Sequence, residues 1–240
     1  MTAFGKTDIG QKRSINQDSI YYSDEPVGKL PNLYIVADGM GGHNAGDYAS
    51  KYAIETIVNY IEQCDYENPT TVLKYAIKRA NERLMRDAKQ NVELQGMGTT
   101  VVAAVIKGYH LYVANMGDSR LYRLSHDGIH QITLDHSLVE ELIRSGKLNR
   151  ENVRNHPEKN IITRAVGAAD DILPDFFELD LEPDDKILLC SDGLSNMLED
   201  DEIEDVIKEE NSLEDAVNRL IERANYYGGK DNIGIVLVGN

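Results

Sequence analysis

Four aspartates of this chain stand in one kind of setting. Asp38 closes the apolar run "LYIVAD" and precedes Gly39, and Asp192 closes "KILLCSD" and precedes Gly193. Asp118 follows Gly117 after "LYVANM", and Asp231 follows "GGK" just ahead of "IGIVLV". Asp18, in "NQD", is a fifth candidate. Each alone reads as a turn residue, because Asp-Gly is a strong turn signal. Together they point elsewhere: strand ends of one sandwich can converge at one edge, and glycine lets a backbone carbonyl approach a cation. Clustered carboxylates without a His or Cys pattern suit Mg²⁺ or Mn²⁺, not zinc. Two such ions about 3.5–4 Å apart can share a bridging hydroxide and direct it in line at phosphorus. The residues alone thus lead to a metal-dependent phosphoester site.

Two competing readings of the same stretches fail. The glycines of "YIVADGMGGHNAG" suggest a phosphate cradle, but Asn44 stands where a dinucleotide loop needs its third small residue. No Lys-Ser/Thr pair follows for a P-loop either. In "CSDG", Cys190 and Ser191 invite the role of nucleophile. Cys64 and Cys190 lie far apart, fit neither a disulfide framework nor a zinc site, and read as buried reduced thiols. Neither Cys190 nor Ser191 is needed for the chemistry.

Positioning these aspartates requires strands that end together. "LYIVAD", "DKILLCSD" and "IGIVLVG" are nearly all apolar, as expected where both sheet faces are covered. From Thr99 to Thr133, three β-rich runs are separated by Lys107-Gly108, Met116-Gly117-Asp118 and His126-Asp127-Gly128, which predicts antiparallel hairpins. Ala45, Ala49, Ala53, Ile57 and Ile61 recur at helical spacing, as do Leu73, Ile77, Ala80, Leu84 and Ala88 after a start signal at Asn68-Pro69-Thr70. Two more helices are expected near Asp201–Glu210 and Ser212–Tyr226. Helices in pairs and strands in hairpins predict an α+β layered domain with antiparallel sheets. No linker, repeat or low-complexity stretch divides residues 1–240, so one domain is expected. Its segment Asp135–Gly167 is polar, weakly helical at "SLVEELIRSG" and then irregular, as in a functional flap.

Charge narrows the partners. With 41 acidic against 25 basic residues the formal net charge is −16, which repels nucleic acid and anionic membranes. No run approaches the ~18 apolar residues of a membrane span, and the first residues lack the apolar core of a signal peptide. A soluble, cytoplasmic monomer is expected.

Eight segments in order make the reading specific: "GQKRSINQDS", "VADGMGGHNAGDYAS", "GMGTTVVAA", "VANMGDSRLYRL", "LDHSLVEELIRSG", "ITRAVG", "LLCSDGLSNML" and "GGKDNI". They resemble the motifs of the metal-dependent Ser/Thr protein phosphatases, the PPM or type-2C family, in its bacterial stand-alone form. The resemblance runs from Arg13 to Asp231. It implies that the α+β domain is a sandwich of two mainly antiparallel β-sheets flanked by helix pairs (αββα layers), with the metal site at one edge of the sheets. It also implies hydrolysis of phosphoserine and phosphothreonine on proteins, with two catalytic Mn²⁺ or Mg²⁺ ions and a third in bacterial members. By the same resemblance Asp38 bridges the catalytic pair, the Gly39 carbonyl completes one of them, and Asp192 and Asp231 ligate the other. Asp118 with Asp192 holds the third ion, Asp18 acts through metal-bound water, and Arg13 clamps the substrate phosphate. A guanidinium suits that task, pairing two phosphate oxygens while staying charged. The partners implied are phosphoproteins, including a Ser/Thr kinase.

Two positions depart from the family pattern. Met40 fills the place of a histidine assigned as general acid in animal and plant members, and His43 comes only later in the loop. Gly234 stands where Thr usually follows "DNI", with an effect expected only on local strand packing. His136 and Arg164 match the pattern and read as structural. The competing class is a catalytically silent module that binds phosphoproteins with the same fold; the complete set of carboxylates favours the enzyme.

Overall fold

Side-chain alternation builds the layers. In strand β3 (Leu33–Met40), Leu33, Ile35 and Ala37 pack against helices α1 (Ala45–Gln63) and α2 (Pro69–Gln90). Tyr34 and Val36, pointing the other way, pack between two sheets. Strand β11 (Ile233–Gly239) repeats the device: Ile233, Ile235 and Leu237 meet helices α5 (Asp200–Glu209) and α6 (Leu213–Tyr226). Its Val236 and Val238 join the layer between the sheets. Both faces of both strands are therefore covered, which is why they read as unbroken apolar runs. Each buried Val, Leu or Ile contributes roughly 1.5–3 kcal/mol. The chain is described by a computed structural model over residues 1–42, 45–149 and 156–239.

One sheet runs in the order β1 (Thr2–Asp8), β11, β10 (Lys186–Cys190), β7 (Arg120–Ser125), β8 (Gly128–Gln131). The other runs β2 (Asp18–Ser23), β3, β5 (Val101–Lys107), β6 (His110–Met116), β9 (Asp175–Asp180), with the short β4 (Gly98–Thr99) paired to β3. Every neighbouring pair is antiparallel. Helix pair, sheet, sheet and helix pair stack in the expected αββα order.

Local signals set the helix ends. The Asn68 side chain accepts the Thr71 N–H at 2.9 Å, and Pro69 sits in the first turn, where its missing N–H costs nothing. Ser212 caps α6 through the Asp215 N–H at 3.0 Å.

The expected hairpin at Met116-Gly117-Asp118 needs correction. The strands it joins lie in different sheets, so this is a crossover. Gly117 has φ +111°, and a Cβ there would meet Thr100 at 2.5 Å, so only glycine lets the chain step between sheets here. The region holds four strands rather than three. Strands β1, β2 and β9 had no apolar signature because they are edge strands with mostly half-exposed residues.

The segment 135–167 is stitched at both ends. The His136 N–H donates to the Gly117 carbonyl at 2.9 Å, and Val166 and Thr99 exchange both backbone bonds at 2.9 Å. Between these ties runs α3 (Leu138–Arg144), capped by Ser137; residues 150–155 of the segment lie outside the described residues. Among the described residues no helix is long and apolar enough to cross a membrane.

Candidate active site

The first pair of carboxylates is placed by sheet register. Asp18, at the start of β2, lies directly opposite Asp38 of β3. The backbone of Asp38 is gripped by the "GTT" segment: its N–H donates to Thr100 Oγ1, and its carbonyl accepts from the Thr100 N–H and Thr99 Oγ1, each at 2.9 Å. Strand β10 ends beside this pair, which brings in Asp192 at the first turn of α4 (Asp192–Ser195). Asp231 sits two residues before β11, and Arg13 Nη2 donates to its Oδ2 at 2.7 Å. Asp118 enters from the crossover between the sheets. All five carboxylates and Arg13 thus meet at one edge of the sandwich.

Their electrostatics show how closely they crowd. Burial pushes the Asp18 carboxyl up to about 8, aided by repulsion from Asp192 and Asp231 and opposed by a hydrogen bond from Ser191. Burial, then the charge of Asp231, pushes Asp192 up to about 6. Asp38 and Asp118 are held well above the carboxylate range, again by burial first, then by Asp18 and Asp192 in one case and Asp192 and Asp135 in the other. Asp38 and Asp192 keep some exposed surface, yet protein encloses them on most sides, so desolvation leads there too. In the opposite sense, the Arg13 guanidinium is raised by its bond to Asp231 and by the charges of Asp38 and Asp192.

Such crowding is unfavourable unless positive charge offsets it. Three of the carboxylates also carry a buried oxygen without a hydrogen-bond partner: Oδ1 of Asp18, Asp118 and Asp192. Buried acceptors are rarely left so. An all-oxygen donor set of this charge fits hard divalent cations. Among the described residues, no three His, Cys, Asp or Glu side chains are already drawn into a ready ligand shell. Protein donors hold several of the oxygens instead: Arg13 on Asp231, Ser191 on Asp18 at 2.6 Å, and Asn196 on Asp192 at 2.8 Å. The donor chemistry and the unpartnered oxygens weigh more than that geometry, because side chains bonded to Arg13, Ser191 and Asn196 can re-aim without moving the strands.

A cleft of about 590 Å³ opens beside this cluster, with Asp118 and Asp192 among its lining residues. Val139, Glu140 and Ile143 of the segment 135–167 also line it, as do Asn196 and Asp200. Asp18, Asp38 and Asp231 do not line it.

Several residues matter in ways the sequence did not reveal. Ser191 is fully buried; its hydroxyl donates to Asp18 and accepts the Gly234 N–H at 2.8 Å. Cys190 is buried with its thiol pushed up to about 12, so neither side chain is poised as a nucleophile. Gly234 does more than pack a strand: a Cβ there would stand 3.2 Å from Asp18 Oδ2. Gly39 has a steric reason of its own, because a Cβ would meet the Gly46 carbonyl of α1 at 2.0 Å. Met40 lies in a different surface hollow, with Met85, Ala88 and Met97. His43 lies outside the described residues. His136 and Arg164 are braces: His136 Nδ1 accepts the Gly117 N–H at 3.1 Å, Nε2 faces Asp175 at 3.1 Å, and Arg164 bonds Asp175 at 3.0 Å. The sequence signals were faint for Ser191 and for Asn232, whose amide bonds the loop that carries Arg13: a serine before one aspartate ("SD") and an asparagine after another ("DN").

Comparison with known proteins agrees with this geometry. The protein phosphatase 2C family model matches residues 7–236. A serine/threonine phosphatase, Stp, of Listeria welshimeri is 40% identical, with 99% of this chain and 95% of the relative covered. The solved serine/threonine phosphatase of S. agalactiae is 38% identical with a TM-score of 0.91, covering 98% of both chains. The catalytic domain of the phosphatase PstP, solved in complex with two manganese ions, is 30% identical with a TM-score of 0.87, covering 98% of this chain and 96% of that one. Layers, convergent carboxylates and a match over nearly the full length agree: the chain belongs to the protein phosphatase 2C family of metal-dependent serine/threonine protein phosphatases.

Proposed function

We propose that the five-carboxylate edge with Arg13 is the catalytic centre at which this phosphatase hydrolyses phosphoserine and phosphothreonine esters of proteins. The observation that carries the reading is the convergence of Asp18, Asp38, Asp192 and Asp231, two of them with unpartnered buried oxygens, within the field of one arginine. Asp38, with the Gly39 carbonyl, Asp192 and Asp231 would hold two Mn²⁺ or Mg²⁺ ions. Asp118 with Asp192 would hold a third. When bound, the ions supply Lewis acidity and an activated water at neutral pH.

The chain's own residues do the rest. Thr99 and Thr100 fix the Asp38 backbone, the base from which its carboxyl extends. Ser191 aims Asp18 at the cluster from behind. Arg13, half exposed and permanently charged, takes the phosphate oxygens and orients the ester. The cleft beside Asp118 and Asp192 receives the polypeptide around the phosphorylated residue, and the described part of the segment 135–167 borders it as a flap within a single domain.

Mn²⁺ is the favoured ion, given the two manganese ions of the PstP structure. The substrates we infer are phosphoproteins of the cytoplasm, a Ser/Thr kinase and its targets among them, acted on by a monomer. The two free cysteines are in keeping with a reducing compartment. Hydrolysis of a phosphothreonine peptide should stop with EDTA and return with Mn²⁺. Turnover that survives thorough chelation would refute the reading.

A further inference from the structure

We propose that Asn232 is a positioning residue for the phosphate clamp: its amide staples the neck of the loop that carries Arg13. This rests on the reading of Arg13 as the group that holds the substrate phosphate.

Arg13 lies on irregular chain between β1 and β2, where no sheet ladder fixes it. Asn232 reaches that loop from the start of β11. Its Nδ2 donates to the Ile9 carbonyl at 2.9 Å and to the Ile15 carbonyl at 3.0 Å, and its Oδ1 accepts the Gln17 N–H at 2.9 Å. Ile9 precedes Arg13 in the chain, whereas Ile15 and Gln17 follow it. One amide therefore ties both sides of the neck, with Arg13 at the apex. The Gly229 carbonyl, accepting from the Gln11 and Lys12 N–H groups at 2.8 and 3.2 Å, adds a backbone tie from the same segment. Asp231 lies between these two anchors and takes the Arg13 guanidinium. The clamp and a carboxylate of the site are thereby built as one unit.

The chemistry singles out asparagine. Two donors and one acceptor are needed at once on a short stem; aspartate lacks the donors and serine lacks the second donor. Asn232 is only 3% exposed, so water cannot replace the lost bonds. Small displacements of a positioning group are expensive in rate, on the order of 10²-fold per ångström.

The test is a double-mutant cycle on the full-length, Mn²⁺-loaded protein with Asn232→Ala, Arg13→Ala and the pair. Readouts are phosphothreonine-peptide kinetics and inhibition by inorganic phosphate. Asn232→Ala should raise KM and the phosphate inhibition constant about 10- to 100-fold, with a smaller fall in kcat. In the Arg13→Ala background it should add almost nothing, since the group it positions is gone. Hydrogen exchange of the metal-free protein should quicken in residues 9–17 and stay unchanged in β3 and β10. Multiplicative losses in the double variant, or unchanged exchange in 9–17, would overturn the proposal. If Arg13→Ala leaves phosphate inhibition untouched, the clamp reading falls and this inference with it. Should Asn232→Ala fail to fold, Asn232→Asp keeps the volume and the acceptor, loses both donated bonds, and runs through the same cycle.

Discussion

The carboxylate floor and the Arg13 loop meet at one edge of the sandwich, but opposite means hold them. The backbones of Asp18 and Asp38 are fixed by a ladder register that would have to slip for either Cα to move, and every side chain along the strands resists that slip. Arg13 has no ladder; side-chain and turn bonds hold its loop, chiefly the Asn232 amide and the Gly229 carbonyl. A floor that gathers negative charge needs rigidity, because its members repel one another. A clamp that must admit and release a phosphate needs a defined position without a rigid strand. The variants below separate these two modes of support.

The floor should be the more sensitive. Asp38→Asn keeps the shape of the side chain and its backbone ties but removes the charge that would meet the metal ions. Activity toward a phosphothreonine peptide should fall by about 10³ or more, as expected when electrostatic stabilisation of developing charge is lost. Binding of the phosphoprotein itself should survive. Residual turnover within tenfold of the parent would mean that the carboxylate floor is not the centre of the reaction.

The clamp should give a different signature. On the proposed reading Arg13→Ala removes a bidentate donor that would contact the phosphate in ground and transition states alike, so KM and phosphate inhibition should weaken by about 10²-fold. The Mn²⁺ concentration for half-activation should stay nearly constant. If that concentration moves as much as KM, Arg13 supports the floor through Asp231 and is not a clamp.

The same contrast explains what could be read in the sequence. Asp38, Asp192 and Asp231 stand beside apolar strands, and a strand covered on both faces announces itself as an unbroken Val/Ile/Leu run. Hence the strand-end aspartates, the paired helices and an α+β layered domain with antiparallel sheets could be read directly, and the αββα order followed with the resemblance. The edge strands β1, β2 and β9 could not, since half-exposed residues show no such run. The crossover at Gly117 was misread because Gly-Asp signals a turn without saying whether the chain stays in its sheet. Arg13 could be singled out only by resemblance, because an arginine in a polar terminal stretch reads as solvated charge. Asn232 and Ser191 stayed invisible: each acts through partners more than 40 residues away in sequence, which no local pattern encodes.

Ser191→Ala probes the support beneath the floor. It leaves Asp18 Oδ2 and the Gly234 N–H without their shared partner while every ladder bond remains. Residues that orient a metal-site carboxylate typically matter 10- to 100-fold, so the Mn²⁺ requirement should rise by about tenfold. Activity at saturating Mn²⁺ should largely recover. A loss that no Mn²⁺ concentration restores would assign Ser191 a part in the reaction itself.

The smallest effect concerns stability without metal. Asp18 and Asp192 titrate near 8 and 6 in the folded chain, against about 4 for an ordinary aspartate. Between those values the folded state binds more protons than the unfolded state, so stability falls as pH rises. The contribution is fully present below pH ~4 and is lost through the folded values. In EDTA, Tm should therefore decline from pH 5 to pH 8, and Asp18→Asn, which has no proton to lose there, should flatten the decline. Saturating Mn²⁺ should raise Tm more at pH 8 than at pH 5, since on the proposed reading the cation would bind the ionised carboxylates whose repulsion weakens the metal-free fold. Calorimetry of both proteins across that range, with and without Mn²⁺, measures all three. A parent Tm that falls no faster than that of Asp18→Asn would show that the floor's charge is already relieved within the protein, and that its carboxylates are not strained by their crowding.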